Sequence, residues 1–199
     1  MDKQPQKLKI ALCLSGQARS WKQGYRYYKQ NLLDRYDVDV FIHTWDFPER
    51  EEYFNLYNPK AFKYGMSADL LEDVNHIYTR TPNSVKHPPN NTYRMLASMC
   101  LTRILMLRSG VEYDWVIKSR SDYALNVAIP FEELDNTKLY IPNCRMVPQR
   151  DFGNDQFAFG SQDTMEKYMS TWYHIDKYYE AGADFIGENM MQANLHNYN

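Results

Sequence analysis

Tyr113-Asp114-Trp115-Val116-Ile117-Lys118-Ser119-Arg120-Ser121-Asp122-Tyr123 is the stretch on which the fold turns. Its run over 115–117 combines aromatic and β-branched side chains and reads as a buried strand. The run breaks off in Ser-Arg-Ser-Asp. In open α/β sheets a ligand sits just outside the carboxyl ends of the strands, so chemistry is expected at this break. Arg120 offers a planar fork for phosphate oxygens, and Asp122 a carboxylate for a divalent cation bridging the same phosphates. The same two residues are equally the makings of an Arg–Asp pair that merely caps the strand.

Upstream, 8–14 (LKIALCL) is a near-continuous apolar run that stops at Ser15-Gly16, the pattern of a strand covered on both faces. Over 19–36, Trp21, Tyr25, Tyr28 and Leu32 recur at helical spacing, with Gly24 a mild weakness inside the helix. The segment 38–44 (VDVFIHT) reads as a second strand ending at Trp45-Asp46, and 59–64 as a third, short one. Ser67 is expected to cap a helix reaching about Ile77. Pro82, Pro88 and Pro89 mark 79–91 as an exposed loop. The strongest helix covers 92–108, with Met95, Met99, Thr102 and Met106 on one face and Gly110 after its end.

Downstream the rhythm changes. Short strands at 139–142 and 156–160 flank a polar loop, a Tyr- and Met-rich helix follows over 164–179, and a last helix covers about 188–195. The fold class expected is α/β: a Rossmann-related, mostly parallel central sheet with helices on both faces and a smaller mixed C-terminal part. One domain is expected over 1–199, with its parts meeting near residue 122.

Composition narrows the function classes. A chain of 199 residues with 44% hydrophobic and 24% charged residues belongs with soluble globular proteins. A net charge of -2 argues against a nucleic-acid partner, which needs a basic excess. No apolar run approaches the ~20 residues needed for a transmembrane segment. The polar start, 1–9, leads straight into a strand and is not a secretory signal, so a cytoplasmic location is expected, in a bacterium or in a virus-infected host cell. Cys13, Cys100 and Cys144 read as free thiols, and no zinc-ligand spacing is present.

Three ordered elements now line up: Ile10 to Arg19 (IALCLSGQAR), Asp39 to Asp46 (DVFIHTWD), and the strand ending Arg120-Ser121-Asp122, with Asn154 to Gly160 (NDQFAFG) downstream. On these motifs the chain resembles nucleotide-sugar-dependent glycosyltransferases of the GT-A fold, in particular the branch of WavE-like lipopolysaccharide-synthesis proteins and large-DNA-virus glycosyltransferases. The resemblance implies a hexosyltransferase-type enzyme of polysaccharide biosynthesis that takes a nucleoside-diphosphate sugar donor and a glycan acceptor. It makes about 1–122 the nucleotide-binding half and about 123–199 the acceptor-side half. It also implies that Ser15, Gly16, Gln17 and Arg19 hold the nucleoside and that Asp46 contacts base or ribose. The family's Asp-x-Asp, which binds Mn²⁺ or Mg²⁺ on the diphosphate, falls on Arg120-Ser121-Asp122. Here a cation replaces the first acid, so Asp122 binds the metal alone or Arg120 takes part of its role.

Transfer of a sugar requires neutralising a departing diphosphate while positive charge builds on the anomeric carbon. A carboxylate on the acceptor side can take the hydroxyl proton. Asp155 is the candidate base, with a plain turn aspartate as the alternative. Arg94 and Ser98 are candidates for the donor sugar, or else ordinary helix-surface residues. Glu188 is a substrate ligand or a carboxylate favoured by a helix N-terminus. His196 is a weak metal candidate, and His43 reads as a core or rim residue. A P-loop enzyme is disfavoured because Ser15 to Ser20 has one glycine and no Gly-Lys-Ser/Thr, and no Gly-x-Gly-x-x-Gly supports a dehydrogenase. A catalytically silent nucleotide-sugar or carbohydrate-binding domain stays open.

Overall fold

The structure, a computed structural model, describes residues 8–65, 73–80, 88–142 and 155–196. Five strands form one sheet in the order β3-β2-β1-β4-β5. They are β1 (Lys9–Ser15), β2 (Asp37–Thr44), β3 (Ala61–Tyr64), β4 (Trp115–Ser119) and β5 (Phe157–Gly160). The first four are parallel, and β5 runs antiparallel to β4. The mostly parallel sheet expected from the apolar runs is therefore present, with β1 at its centre.

Burial on both sides explains why β1 is apolar from Ile10 to Leu14. Ile10, Leu12 and Leu14 pack on one face with Trp21, Tyr28, Tyr53 and Tyr57. These come from α1 (Trp21–Tyr28) and α2 (Arg50–Tyr57). Ala11 and Cys13 pack on the other face with Leu96, Met99 and Met106 of α3 (Pro89–Leu107) and with Met165, Tyr168 and Met190. The last three belong to α4 (Gln162–Met169) and α6 (Gly187–His196), with the short α5 (Ile175–Glu180) between them.

Several boundaries differ from expectation. The helix read over 19–36 is α1 continued by a π-helical turn, Lys29–Leu33. α2 was not foreseen: its first turn carries Glu51 and Glu52, which suit a helix N-terminus, and its only buried side chains are Tyr53 and Tyr57, one turn apart. The 164–179 helix is broken into α4, a 3₁₀ turn (Thr171–His174) and α5. In place of a strand at 139–142, Tyr140 alone bridges Phe159. Of the helix expected over 67–77, 67–72 lie outside the described residues, and the described remainder holds a turn at 75–77. Cys144, Gly153 and Asn154 also lie outside them.

Two features of this topology place a site. The chain steps from β3 at one edge, through α3, to β4 on the far side of β1, so the sheet order reverses between β1 and β4. A crevice opens at such a reversal, outside the strands' carboxyl ends. The antiparallel pairing of Ser119 with Phe157 then sets Asp155 and Gln156, just before β5, beside the end of β4.

Candidate active-site cleft

At the carboxyl ends of β1 and β4 lies a cleft of about 660 Å³. Its walls come from the turn after β1 (Ser15, Gly16, Gln17, Arg19), Trp45 after β2, the start of α3 (Asn91, Thr92, Arg94, Met95) and β4 with its end (Lys118, Arg120). Asp155 and Gln156 before β5 and Ile186, Gly187 and Glu188 at the start of α6 close it. Its charged lining comprises four cations, Arg19, Arg94, Lys118 and Arg120, against two carboxylates, Asp155 and Glu188. A concavity of this size with a cationic excess suits a drug-sized anion.

The turn after β1 is fixed from below. Gly16 has φ +98, and its Cα side faces the Trp45 ring, where a Cβ would lie 3.4 Å away. Its N–H reaches the His43 carbonyl at 3.1 Å and Ser98 Oγ at 2.9 Å. Ser98 Oγ also pairs with His43 Nδ1 at 2.7 Å. His43 is wholly buried, and burial together with the nearby Lys63 charge pushes its pKa down to about 4, so the ring is neutral at physiological pH.

Tyrosines hold the end of β4. Tyr28 Oη lies 2.5 Å from Ser119 Oγ and donates to the Arg120 carbonyl at 2.9 Å. Tyr53 Oη pairs with Ser121 Oγ. Arg120 turns its fork onto Asp122, Nε to one oxygen at 2.9 Å and Nη2 to the other at 2.6 Å. On the same strand, Lys118 is 2% exposed and donates to the Asp155 carbonyl. Burial pushes its pKa down to about 8, with Asp155 opposing and Arg120 reinforcing the shift.

No family model matches the sequence, and no curated protein matches it. Among solved structures, the chain is similar to the apo-form glycosyltransferase GlyE of Streptococcus pneumoniae TIGR4. The TM-score is 0.48 at 12% identity, over 96% of this chain and 43% of that one. The chain thus spans less than half the length of GlyE. Likeness at that level carries no argument about activity.

The cleft brings together Ser15, Gly16, Gln17, Arg19, Arg94, Arg120, Asp155 and Glu188, eight sequence candidates drawn from five separate segments. Three others stand outside its lining. Ser98 is fully buried beneath the β1 turn, where its hydroxyl is engaged by Gly16 and His43. Asp46 lies in a separate shallow depression with Phe47, Pro48, Arg50 and Glu51, and is ion-paired to Arg50. Asp122 is absent from the cleft lining, and its carboxylate is paired with Arg120. Among the described residues, no three His, Cys, Asp or Glu side chains cluster as a metal site, and His196 belongs to no such group.

Sequence reasoning missed Lys118, Trp45 and Gln156. Lys118 carried a signal: a lysine inside an otherwise apolar strand, between Ile117 and Ser119, at a position the sheet buries.

Proposed function

We propose that the cleft binds a nucleoside-diphosphate sugar and that the chain transfers the sugar to a hydroxyl of a glycan acceptor. The observation that carries this reading is the gathering of Arg19, Arg94, Lys118 and Arg120 with Asp155 and Glu188 at the reversal of the sheet order. Cations lining a cleft stabilise the charge that develops on a departing diphosphate. A carboxylate in the same cleft serves the acceptor: Asp155 takes the hydroxyl proton if the reaction inverts configuration. Ser15, Gly16 and Gln17 form the wall for the nucleoside, with the Trp45 ring behind Gly16.

In this proposal the protein's own cations neutralise the diphosphate first. Mn²⁺ or Mg²⁺ would be held by Asp122, whose carboxylate is paired with Arg120, and would add to that neutralisation. The proposal keeps the cytoplasmic location expected from the sequence. Among the described residues no helix is long and apolar enough to cross a membrane.

The Arg120–Asp122 closure also favours a second reading, a domain that binds nucleotide sugars without turning them over. Binding of UDP and GDP measured by calorimetry, followed by hydrolysis of UDP- and GDP-sugars, separates the two. Binding with turnover supports the transferase, binding without turnover supports the silent domain, and no binding of either nucleotide removes both.

A further inference from the structure

Lys118 is a buried cation that the fold itself does not call for. In register it lies between Cys13 of β1 and Ala158 of β5, both apolar and fully buried, and two residues from Val116 on the same face of the sheet. An aliphatic side chain would fill such a position without desolvating a charge. The ammonium carries three donors, yet among the described residues it meets one hydrogen-bond acceptor, the Asp155 carbonyl. The Asp155 charge offsets the burial of Lys118 only in part. Taking an ammonium out of water is unfavourable unless it is paired and its donors are filled. Lys118 lines the cleft, so the missing acceptors can come from there.

We propose that Lys118 is a diphosphate-binding residue whose spare N–H groups receive oxygens of an anion seated in the cleft beside Arg120, with no metal ion required for binding. The choice of a diphosphate rests on the functional reading above, whereas the need for an oxyanion rests on the burial and hydrogen bonding of Lys118. Asp155 takes part through its carbonyl, which fixes the ammonium, and its carboxylate stays available to the acceptor side.

The test uses inorganic pyrophosphate in EDTA-containing buffer, with the full chain as wild type, Lys118→Met and Lys118→Arg. Calorimetry gives the affinity, and thermal melting gives the stability of the unliganded proteins. The expected result is metal-free binding by the wild type, a loss of about tenfold or more in Lys118→Met, and partial retention in Lys118→Arg. The unliganded Met variant should melt no lower than the wild type, since an apolar side chain of similar length relieves the unpaired charge. A purely structural lysine reverses both readouts: a lower melting temperature and an unchanged affinity would overturn the proposal, as would a wild type that binds no pyrophosphate. If the Met variant does not fold, Lys118→Gln carries the same test, because it keeps a donor for the Asp155 carbonyl and loses the charge. Lys118-dependent pyrophosphate binding with no nucleotide-sugar turnover would sink the transferase reading and leave this site standing. Turnover untouched by Lys118→Met would do the reverse.

Discussion

Gly24 sits so close to Ser121 that a Cβ on it would stand 1.9 Å from the Ser121 carbonyl oxygen. Helix α1 therefore docks its backbone directly on the turn that carries Arg120 and Asp122, and the glycine that weakens the helix is what permits the approach. Gly24→Ala should destabilise the protein by about 1–3 kcal/mol through overpacking, although alanine is favoured by about 1 kcal/mol inside a helix. Urea denaturation checks this. Equal or greater stability would show that helix propensity governs the position.

Tyr28 gives a milder perturbation of the same turn. Tyr28→Phe removes a buried hydroxyl that meets Ser119 Oγ and the Arg120 carbonyl. The expected cost is about 1–3 kcal/mol, the range for leaving a buried partner unpaired. Nucleotide affinity should fall as well, because Arg120 loses its backbone support. Unchanged stability and affinity would show that the turn is held by other contacts.

His43 makes stability depend on pH in a defined direction. Its pKa is pushed down to about 4 in the folded chain, below the ordinary value of 6.5, by burial and by Lys63. Between those values the unfolded chain binds the extra proton and the folded one does not. The contribution is therefore complete above about pH 6.5 and is lost as pH falls toward 4, by at most about 3 kcal/mol. Chemical denaturation at stepped pH should show a shallower acid slope in His43→Asn than in the wild type. Parallel slopes would exclude His43 as the cause.

Asp155 tests the acceptor side. If the proposed transfer inverts configuration, Asp155→Asn should slow it by about 10²–10⁴-fold, the usual contribution of a general base, with nucleoside-diphosphate affinity nearly unchanged. Steady-state rates and calorimetry on one preparation give both numbers. Unimpaired transfer would remove Asp155 from the chemistry.

The apolar strands were legible in the sequence because a parallel strand covered on both faces must be apolar at nearly every position, as 10–14 is. Arg19, Arg120 and Asp155 were legible as cleft residues because topology sends the carboxyl ends of β1 and β4, and the start of β5, to the same place. Ser98 was not. Position along α3 does not reveal that its hydroxyl faces the β1 turn and not the cleft, a matter of packing between elements far apart in sequence. For Asp122 the sequence left two roles open: a carboxylate two residues from an arginine can serve a ligand or the arginine, and the folded turn pairs it with Arg120. Glu188 was open to both a ligand and a helix-terminus role, and the arrival of Ile186 and Gly187 beside it depends on how the C-terminal helices pack, which no local pattern encodes.

The most direct measurement is a crystal structure of the protein grown with a nucleoside diphosphate and no divalent metal. The account predicts diphosphate oxygens at about 2.7–3.2 Å from Lys118 Nζ and within reach of the Arg120 guanidinium, with the nucleoside along Ser15, Gly16 and Gln17. A nucleotide bound elsewhere, or a diphosphate that enters only with a metal ion on an Asp122 freed from Arg120, would contradict it.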